Sequence, residues 1–341
     1  MTLLILGGTV FLGRHLVEAA FAHGHRVTLF NRGQHNPDLF PDVEKLRGDR
    51  HGGLDALGDR RWDAVIDTCG YVPRLVRASA ERLAGATDHY TFISSISVYT
   101  GPATDESAPV GRLADAAVEQ INGETYGPLK ALCEAAAEHA MPGLVLNVRA
   151  GLIVGPYDPT DRFTYWPARV ARGGEILAPG RPGRRVQFID VRDLAEWIVR
   201  AAGRRVVGTF NVTGPQAPLT MAQVLDACAR ATDHAARYTW VDDDFLLGAA
   251  VTPWTQLPLW IPETHTAAAV VSSVSSDRAI TTGLTYRPLS STISATLEWH
   301  ATRPAGLSWR AGLTPAREQE LLEAWRESRA SNQPGASREP A

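Results

Sequence analysis

Tyr126 and Lys130 are the residues of this chain whose types and spacing most directly suggest chemistry. They lie four residues apart, and Lys130 is one of only two lysines in a chain rich in arginine. On a helix this spacing places a phenol and an ammonium on one face. A compact ammonium can hold a nearby phenol closer to ionisation and still donate to a ribose, whereas arginine is a wider planar fork. The spacing alone is equally compatible with a chance pair on a solvated helix.

Composition and charge narrow the classes of function. The 341 residues carry a net charge of -3, with no basic footprint for nucleic acid. Cys69, Cys133 and Cys228 are far apart and form no CxxC pair, and no HExxH spacing occurs, so we expect reduced thiols and no metal site. Because there is no signal peptide and no apolar run of membrane-spanning length, we expect a cytoplasmic protein that binds no membrane.

The first half of the chain alternates short apolar runs with helical segments. Apolar strands without polar alternation, separated by helices, are typical of a parallel sheet covered on both faces. The pattern therefore predicts a doubly wound α/β fold of the Rossmann type. The predicted strands are Leu3 to Leu6, Arg26 to Phe30, Val43 to Arg47, Ala64 to Asp67, Tyr90 to Ser94, Leu144 to Val148, Val186 to Ile189 and Thr209 to Val212; the predicted helices are Leu12 to Ala22, Arg74 to Leu83, Glu124 to His139, Asp193 to Ala202, Thr220 to Ala231 and Thr314 to Arg329.

The second half is less regular and predicts a smaller substrate-binding lobe. We assign residues 1–155 and about 186–213 to the dinucleotide-binding domain, and 156–185 with 214–330 to the lobe. The Trp- and Pro-rich segment from Thr239 to Pro262 is interpreted as irregular packing or as a substrate lobe. Residues 331–341 are expected to form a disordered tail.

A glycine-rich turn follows the first predicted strand and precedes the first helix. Glycines at such a turn permit close approach of the backbone to a pyrophosphate, and the helix N-terminus supplies free N–H groups. The turn can also be purely structural, because Val10 stands where glycine is common. The candidate cofactor-binding residues here are Gly7, Thr9, Val10, Phe11, Leu12 and Gly13.

The end of the second strand is expected to choose between NADP(H) and NAD(H). An acidic residue there would bind the ribose 2′-hydroxyl and repel a 2′-phosphate. This chain has Asn31 and Arg32 instead, which favours NADP(H), with NAD(H) as the alternative. Asp49 is a candidate acceptor for the adenine amino group, or a turn residue.

Three motifs together resemble a known family. The Gly7 to Gly13 turn, the segment from Ile93 to Tyr99, and Tyr126-x-x-x-Lys130 are similar to the short-chain dehydrogenase/reductase superfamily, in its extended and atypical branch of epimerases and dehydratases. The resemblance implies that Ser95 binds a substrate carbonyl or hydroxyl and that Tyr126 is the acid/base. It further implies that Lys130 binds the nicotinamide ribose and lowers the pKa of Tyr126.

The substrate is less constrained by the sequence. Ser97, Arg185 and the aromatic cluster of Phe163, Tyr165 and Trp166 are the candidates for contacting it, although loop or core roles are equally compatible. The leading hypothesis is an NADP(H)-dependent oxidoreductase acting on a carbonyl or secondary alcohol of a small molecule. The alternatives are a redox-neutral sugar or nucleoside epimerase or dehydratase, and a non-catalytic nucleotide sensor or RNA-associated protein. We expect a monomer or a homodimer.

Overall fold

The computed structural model describes residues 1–101, 105–115, 117–232, 236–265, 273–304 and 306–331. Its centre is a seven-stranded parallel sheet. The sheet strands are β1 (Thr2–Leu6), β2 (Arg26–Asn31), β3 (Glu44–Arg47), β4 (Ala64–Asp67), β5 (Tyr90–Ser95), β6 (Val145–Ala150) and β11 (Gly208–Val212). Their order across the sheet is β11-β6-β5-β4-β1-β2-β3. The chain runs outward from β1 to β3 and then returns to β4 on the other side of β1, so the order reverses between β1 and β4.

Ten helices accompany the sheet in the described part of the chain. They are α1 (Phe11–Ala22), α2 (Pro73–Leu83), α3 (Tyr126–Ala140), α4 (Tyr165–Ala171), α5 (Val191–Gly203), α6 (Met221–Thr232), α7 (Asp243–Gly248), α8 (Asp277–Thr281), α9 (Leu289–Ala301) and α10 (Pro315–Ser331). Four of them, α1, α5, α2 and α3, cover the two faces of the sheet. Alternate residues of β1 point to opposite faces. Leu3 and Ile5 join the core beneath α1 and α5, whereas Leu4 and Leu6 join the core beneath α2 and α3. The Rossmann-type fold predicted from the sequence is confirmed.

A further hydrophobic cluster lies beyond the sheet. It is built around α4 and α6, with α9 and α10 contributing, and its largest fully buried side chains are Trp166, Phe163 and Trp260. A parallel pair of strands, β8 (Glu175–Pro179) and β13 (Arg237–Val241), contributes to it. The domain limits given above remain a prediction.

Two local expectations for this region are wrong. The segment from Thr239 to Pro262 is not wholly irregular, because it completes β13 and contains α7. The single strand predicted from Val186 to Ile189 is two short strands, β9 (Arg185–Val186) and β10 (Ile189–Asp190). β9 pairs antiparallel with β12 (Leu219–Thr220), and β10 pairs in parallel with β7 (Ile153–Val154). The predicted strand is therefore interrupted where its pairing partner changes. Most of the predicted tail, 332–341, lies outside the described residues.

Among the described helices, none combines the length and the apolar character needed to cross a lipid bilayer.

Candidate functional site

A large cleft opens over the carboxyl ends of the sheet strands, at the point where the strand order reverses. Its volume is about 1460 Å³. In open α/β sheets this edge is where ligands bind, because loops diverge there on either side of the reversal. The glycine-rich turn, Asn31 to His35, Ser95 to Thr100, Tyr126 and Lys130 all line the cleft.

The glycine-rich turn is shaped for close backbone approach. Gly7 and Gly8 have φ values of +111° and +98°, a region that side chains disfavour. A Cβ at Gly13 would lie 2.7 Å from the Cα of Gly8, so α1 packs directly on the turn. The first turn of α1 has no acidic residue and its N-cap, Val10, makes no side-chain cap. These features fit a pyrophosphate held by helix N–H groups.

Asn31 holds the turn in place. Its Nδ2 donates to the carbonyl of Gly7 at 2.9 Å, and its Oδ1 accepts from the backbone N–H of Gly33 and from Arg47. This side chain is therefore engaged by the protein itself. It positions the glycine-rich turn and also lines the cleft, and its predicted contact with the cofactor stays a prediction.

Two arginines lie around the loop that follows β2. The side chain of Arg32 is 55% exposed and its Nη1 lies 3.9 Å from Oδ2 of Asp49, a loose pair that leaves the guanidinium accessible. Arg47, at the end of β3, packs its guanidinium against Gly33. The sequence interpretation missed Arg47, although the parallel register of β2 and β3 places it opposite Asn31.

Ser95, Ser97 and Tyr126 meet at the end of β5. The Oγ of Ser95 accepts from the backbone N–H of Ser97 and donates to the Oγ of Ser97, both at 3.1 Å. The first turn of α3 packs against this serine turn through Gly127. A Cβ on Gly127 would lie 2.9 Å from the carbonyl carbon of Ser97, so only glycine allows the approach. Tyr126, the preceding residue, is thereby held beside both serines.

Burial and neighbouring groups act on the pKa of Tyr126. Burial raises the pKa of Tyr126, while a hydrogen bond with Ser95 and the positive charge of Arg162 act in the opposite direction. The nearby cation that favours the phenolate is thus Arg162. The expectation that Lys130 lowers the pKa of Tyr126 stays a prediction, and the Lys130 ammonium donates to two backbone carbonyls.

Lys130 is buried beneath the cleft floor. Its Nζ donates to the carbonyl of Gly70 at 2.7 Å and to that of Ile93 at 2.5 Å. It also lies 4.4 Å from the ring centroid of Phe92 and 5.0 Å from that of Tyr71. Burial lowers the pKa of Lys130 to about 8. The lysine therefore ties α3 to β5 and to the segment after β4, and one of its three donors is left for a ligand.

Two buried ion pairs that the sequence interpretation missed support the cleft floor. Arg50 forms two hydrogen bonds of 2.7 Å with Asp67 at the end of β4, and this pairing holds the pKa of Asp67 below its usual range despite burial. Glu134 pairs with Arg149 at 2.8 Å, one helical turn beyond Lys130. Neither pair has a local sequence signal, because the partners are 17 and 15 residues apart.

A second set of polar side chains lines the cleft on the wall opposite the sheet. Asp158, Thr160, Arg162 and Trp254 line the cleft there, and none of them was among the predicted site residues. The guanidinium carbon of Arg162 lies 5.7 Å from the ring centroid of Trp254. The wall is therefore aromatic as well as charged.

The predicted substrate residues need correction. Phe163 and Trp166 are fully buried and Tyr165 is 3% exposed, all in the hydrophobic cluster around α4 and α6 and none on the cleft. Their run of large apolar groups fills that core. Arg185 is exposed on β9 and also lies outside the cleft. Only Ser97 of the predicted set lines it.

Within the described residues there is no group of three or more His, Cys, Asp or Glu side chains that could hold a metal ion.

The fold and cleft together define a doubly wound α/β protein with a glycine-rich turn at its strand-order reversal. No protein-family model matches the chain. It is similar to the chloroplast stem-loop binding protein of 41 kDa b from Arabidopsis thaliana, with 26% identity over 259 residues. That match covers 67% of this chain and 62% of the plant protein, so it spans less than two thirds of that relative.

Solved structures share the fold over most of the chain. The UDP-glucuronic acid 4-epimerase from Bacillus cereus, in complex with NAD, has a TM-score of 0.64 and 15% identity, covering 88% of this chain and 96% of that one. The human epimerase family protein SDR39U1 (isoform 2), with NADPH, has a TM-score of 0.60 and 20% identity, covering 87% and 99%. At these identities the solved structures show a shared fold, the one that the three sequence motifs predicted for this chain.

Proposed function

We propose that the protein is a nicotinamide-dinucleotide-dependent oxidoreductase that interconverts a secondary alcohol and a ketone. One observation carries the proposal: Tyr126 lies beside Ser95 and Ser97 in the same cleft as the glycine-rich turn. A phenol and two hydroxyls at the carboxyl edge of a parallel sheet suit proton transfer to a substrate oxygen. The bound cofactor supplies the hydride acceptor or donor.

Each residue has a distinct task in this proposal. Ser95 and Ser97 bind and orient the reacting oxygen. Tyr126 gives that oxygen a proton during reduction and removes it during oxidation. Lys130 fixes α3 against β5 through its two carbonyl contacts, and its remaining N–H is available to a ribose hydroxyl. The N-terminus of α1 and the glycine-rich turn hold the pyrophosphate.

We infer NADP(H) as the preferred cofactor. The end of β2 carries Asn31 and Arg32 where an acidic side chain would accept from a ribose 2′-hydroxyl, and Arg32 and Arg47 place two guanidinium groups around it. A 2′-phosphate suits paired arginines better than a neutral hydroxyl does. NAD(H) is the alternative. It would be favoured if the Asp49 carboxylate left Arg32 and accepted a hydrogen bond from the ribose 2′-hydroxyl of the adenosine.

A redox-neutral epimerase or dehydratase is the second candidate. It is favoured by the similarity over nearly the whole chain to UDP-sugar 4-epimerases. The same Tyr126 and serines would then serve a transient oxidation. Nucleic-acid binding, which the name of the plant relative carries, is not part of the proposal, because the net charge of -3 gives no overall excess of positive charge.

The test begins with the purified full chain. Mass spectrometry of the denatured protein identifies any retained dinucleotide, and a panel of alcohols, ketones and UDP-sugars is then screened for absorbance change at the nicotinamide band and for product. Net absorbance change with NADPH supports the oxidoreductase. Product without net absorbance change supports the epimerase or dehydratase. Failure to bind either dinucleotide contradicts both.

A further inference from the structure

The turn between β7 and α4 carries three side chains joined in a row. Thr160 donates through Oγ1 to Oδ1 of Asp158 at 2.7 Å, and Arg162 donates through Nε to Oγ1 of Thr160 at 3.1 Å. All three line the cleft. Because Nε anchors the guanidinium, the orientation of Arg162 is fixed while its two terminal nitrogens hydrogen-bond to nothing in the described part of the chain.

Asp158 is unusual because one of its oxygens is buried without a partner. The residue is 1% exposed, and its Oδ2 has no hydrogen bond within the described residues. A buried oxygen left unsatisfied is costly, so native proteins rarely keep one without a purpose. A ligand hydroxyl in the cleft would satisfy it.

The other cations of the cleft have partners that Arg162 lacks. Arg50 is paired with Asp67, and Lys130 is committed to two carbonyls. Arg32 lies at the β2 end of the cleft and is associated with Asp49. In the proposed function the remaining N–H of Lys130 serves the cofactor ribose, so Arg162 is the cation left for the substrate near Tyr126 among the described residues. Burial raises the pKa of Tyr126 and the Arg162 charge acts against that rise, so the two groups lie within electrostatic reach.

We propose that Asp158 and Arg162 form a substrate subsite for a carboxylate or phosphate group, carried by the molecule whose carbinol carbon reacts at Tyr126. Arg162 binds the anion through its terminal nitrogens, and Oδ2 of Asp158 accepts from a neighbouring hydroxyl of the same molecule. Trp254 packs against the guanidinium and closes that side. The subsite rests on the proposed function and narrows it to hydroxylated anionic substrates.

The test measures binding directly, with succinate, inorganic phosphate and the neutral amide succinamide as probes. Isothermal titration calorimetry is run on the full chain with and without NADP⁺. Charge-assisted hydrogen bonds predict that succinate binds roughly tenfold or more tightly than succinamide. Arg162→Gln should remove this preference, whereas Arg185→Gln, an exposed arginine on β9 outside the cleft, should retain it. Whether phosphate or succinate binds more tightly identifies the kind of anion.

The Asp158→Asn variant distinguishes the loss of a charge next to Arg162 from a structural disruption of the turn between β7 and α4. Removing the carboxylate beside Arg162 should leave succinate binding equal or tighter, because an anion no longer meets a neighbouring negative charge. The subsite is contradicted if native protein does not distinguish succinate from succinamide, if Arg162→Gln keeps the preference, or if Asp158→Asn weakens succinate binding as much as Arg162→Gln does. Arg162-dependent succinate binding in a protein without nicotinamide turnover would contradict the proposed function and leave the subsite standing.

Discussion

Replacing Gly127 with alanine tests whether the contact between α3 and the serine turn positions Tyr126. The added Cβ would lie 2.9 Å from the carbonyl carbon of Ser97 and closer still to its oxygen, whereas ordinary contacts begin at 3.4 Å. The neighbour is backbone, so it cannot rotate away. Steric repulsion of this kind requires α3 to withdraw from β5 by roughly 1 Å.

The expected magnitude follows from two opposing effects on stability and one on activity. Overpacking costs about 1–3 kcal/mol, and the better helix propensity of alanine offsets about 1 kcal/mol of it. The net loss of unfolding free energy should therefore be about 2 kcal/mol or less. Displacing a catalytic group by about 1 Å can reduce turnover about 100-fold. Activity should thus fall far more than stability.

The assay compares kcat for the best substrate of the screen with the urea midpoint of unfolding. Gly248→Ala, at the end of α7 and away from the cleft, is the matched control, since a Cβ at Gly248 meets nothing within 4 Å. It should leave both quantities unchanged. Gly127→Ala with native turnover would refute the claim that this close approach positions Tyr126.

Three further predictions concern stability, the cofactor and pH. Asp67→Asn should cost about 3–5 kcal/mol of unfolding free energy, because it leaves the buried charge of Arg50 without its partner. Asp88→Asn, which removes an exposed ion pair, should cost no more than about 1 kcal/mol. Urea titration measures both losses, and equal losses would contradict the account. Arg32→Ala should weaken NADPH binding about tenfold or more and leave NADH binding nearly unchanged, as fluorescence titration would show; an equal effect on both cofactors would argue against a 2′-phosphate contact. In the oxidation direction, kcat/KM should rise as the pH increases above neutrality, because the base is the phenolate of Tyr126 and burial raises the pKa of Tyr126. A value of kcat/KM that stays constant from about pH 6 to 10 would exclude this base.

The sheet could be predicted from the sequence because its central strands are short and largely apolar, unlike the edge strand β3, which is Glu-Lys-Leu-Arg. In β1 and β4 nearly every side chain is fully buried, so each strand is marked by its composition alone. The helices between them begin and end within two residues of prediction for the same reason, since one face of each must cover the sheet.

The lobe was less predictable because its elements depend on distant partners. β8 pairs with β13 across more than 60 residues, and neither strand is apolar throughout. The aromatic run at Phe163 and Trp166 carries no signal that separates a ligand-binding wall from a hydrophobic core. Only the packing around α4 decides between them.

The site was predicted by residue type but not by geometry. The sequence identified Ser95, Tyr126 and Lys130, yet the Lys130 ammonium is directed to carbonyls 60 and 37 residues away, which no local spacing encodes. Arg162 is the cation near Tyr126 because a loop returns across the cleft. The clearest overlooked signal was Gly127, a glycine inside a helix, since glycine there is unfavourable unless something must come close.

The central claim is that Tyr126 exchanges the proton in a nicotinamide-dependent reaction, and Tyr126→Phe tests it most directly. The phenyl ring keeps the packing while removing the hydroxyl. NADPH affinity, measured by titration, should stay within about threefold of native, whereas turnover of the best substrate should fall about 100-fold or more. Undiminished turnover in Tyr126→Phe would contradict the account.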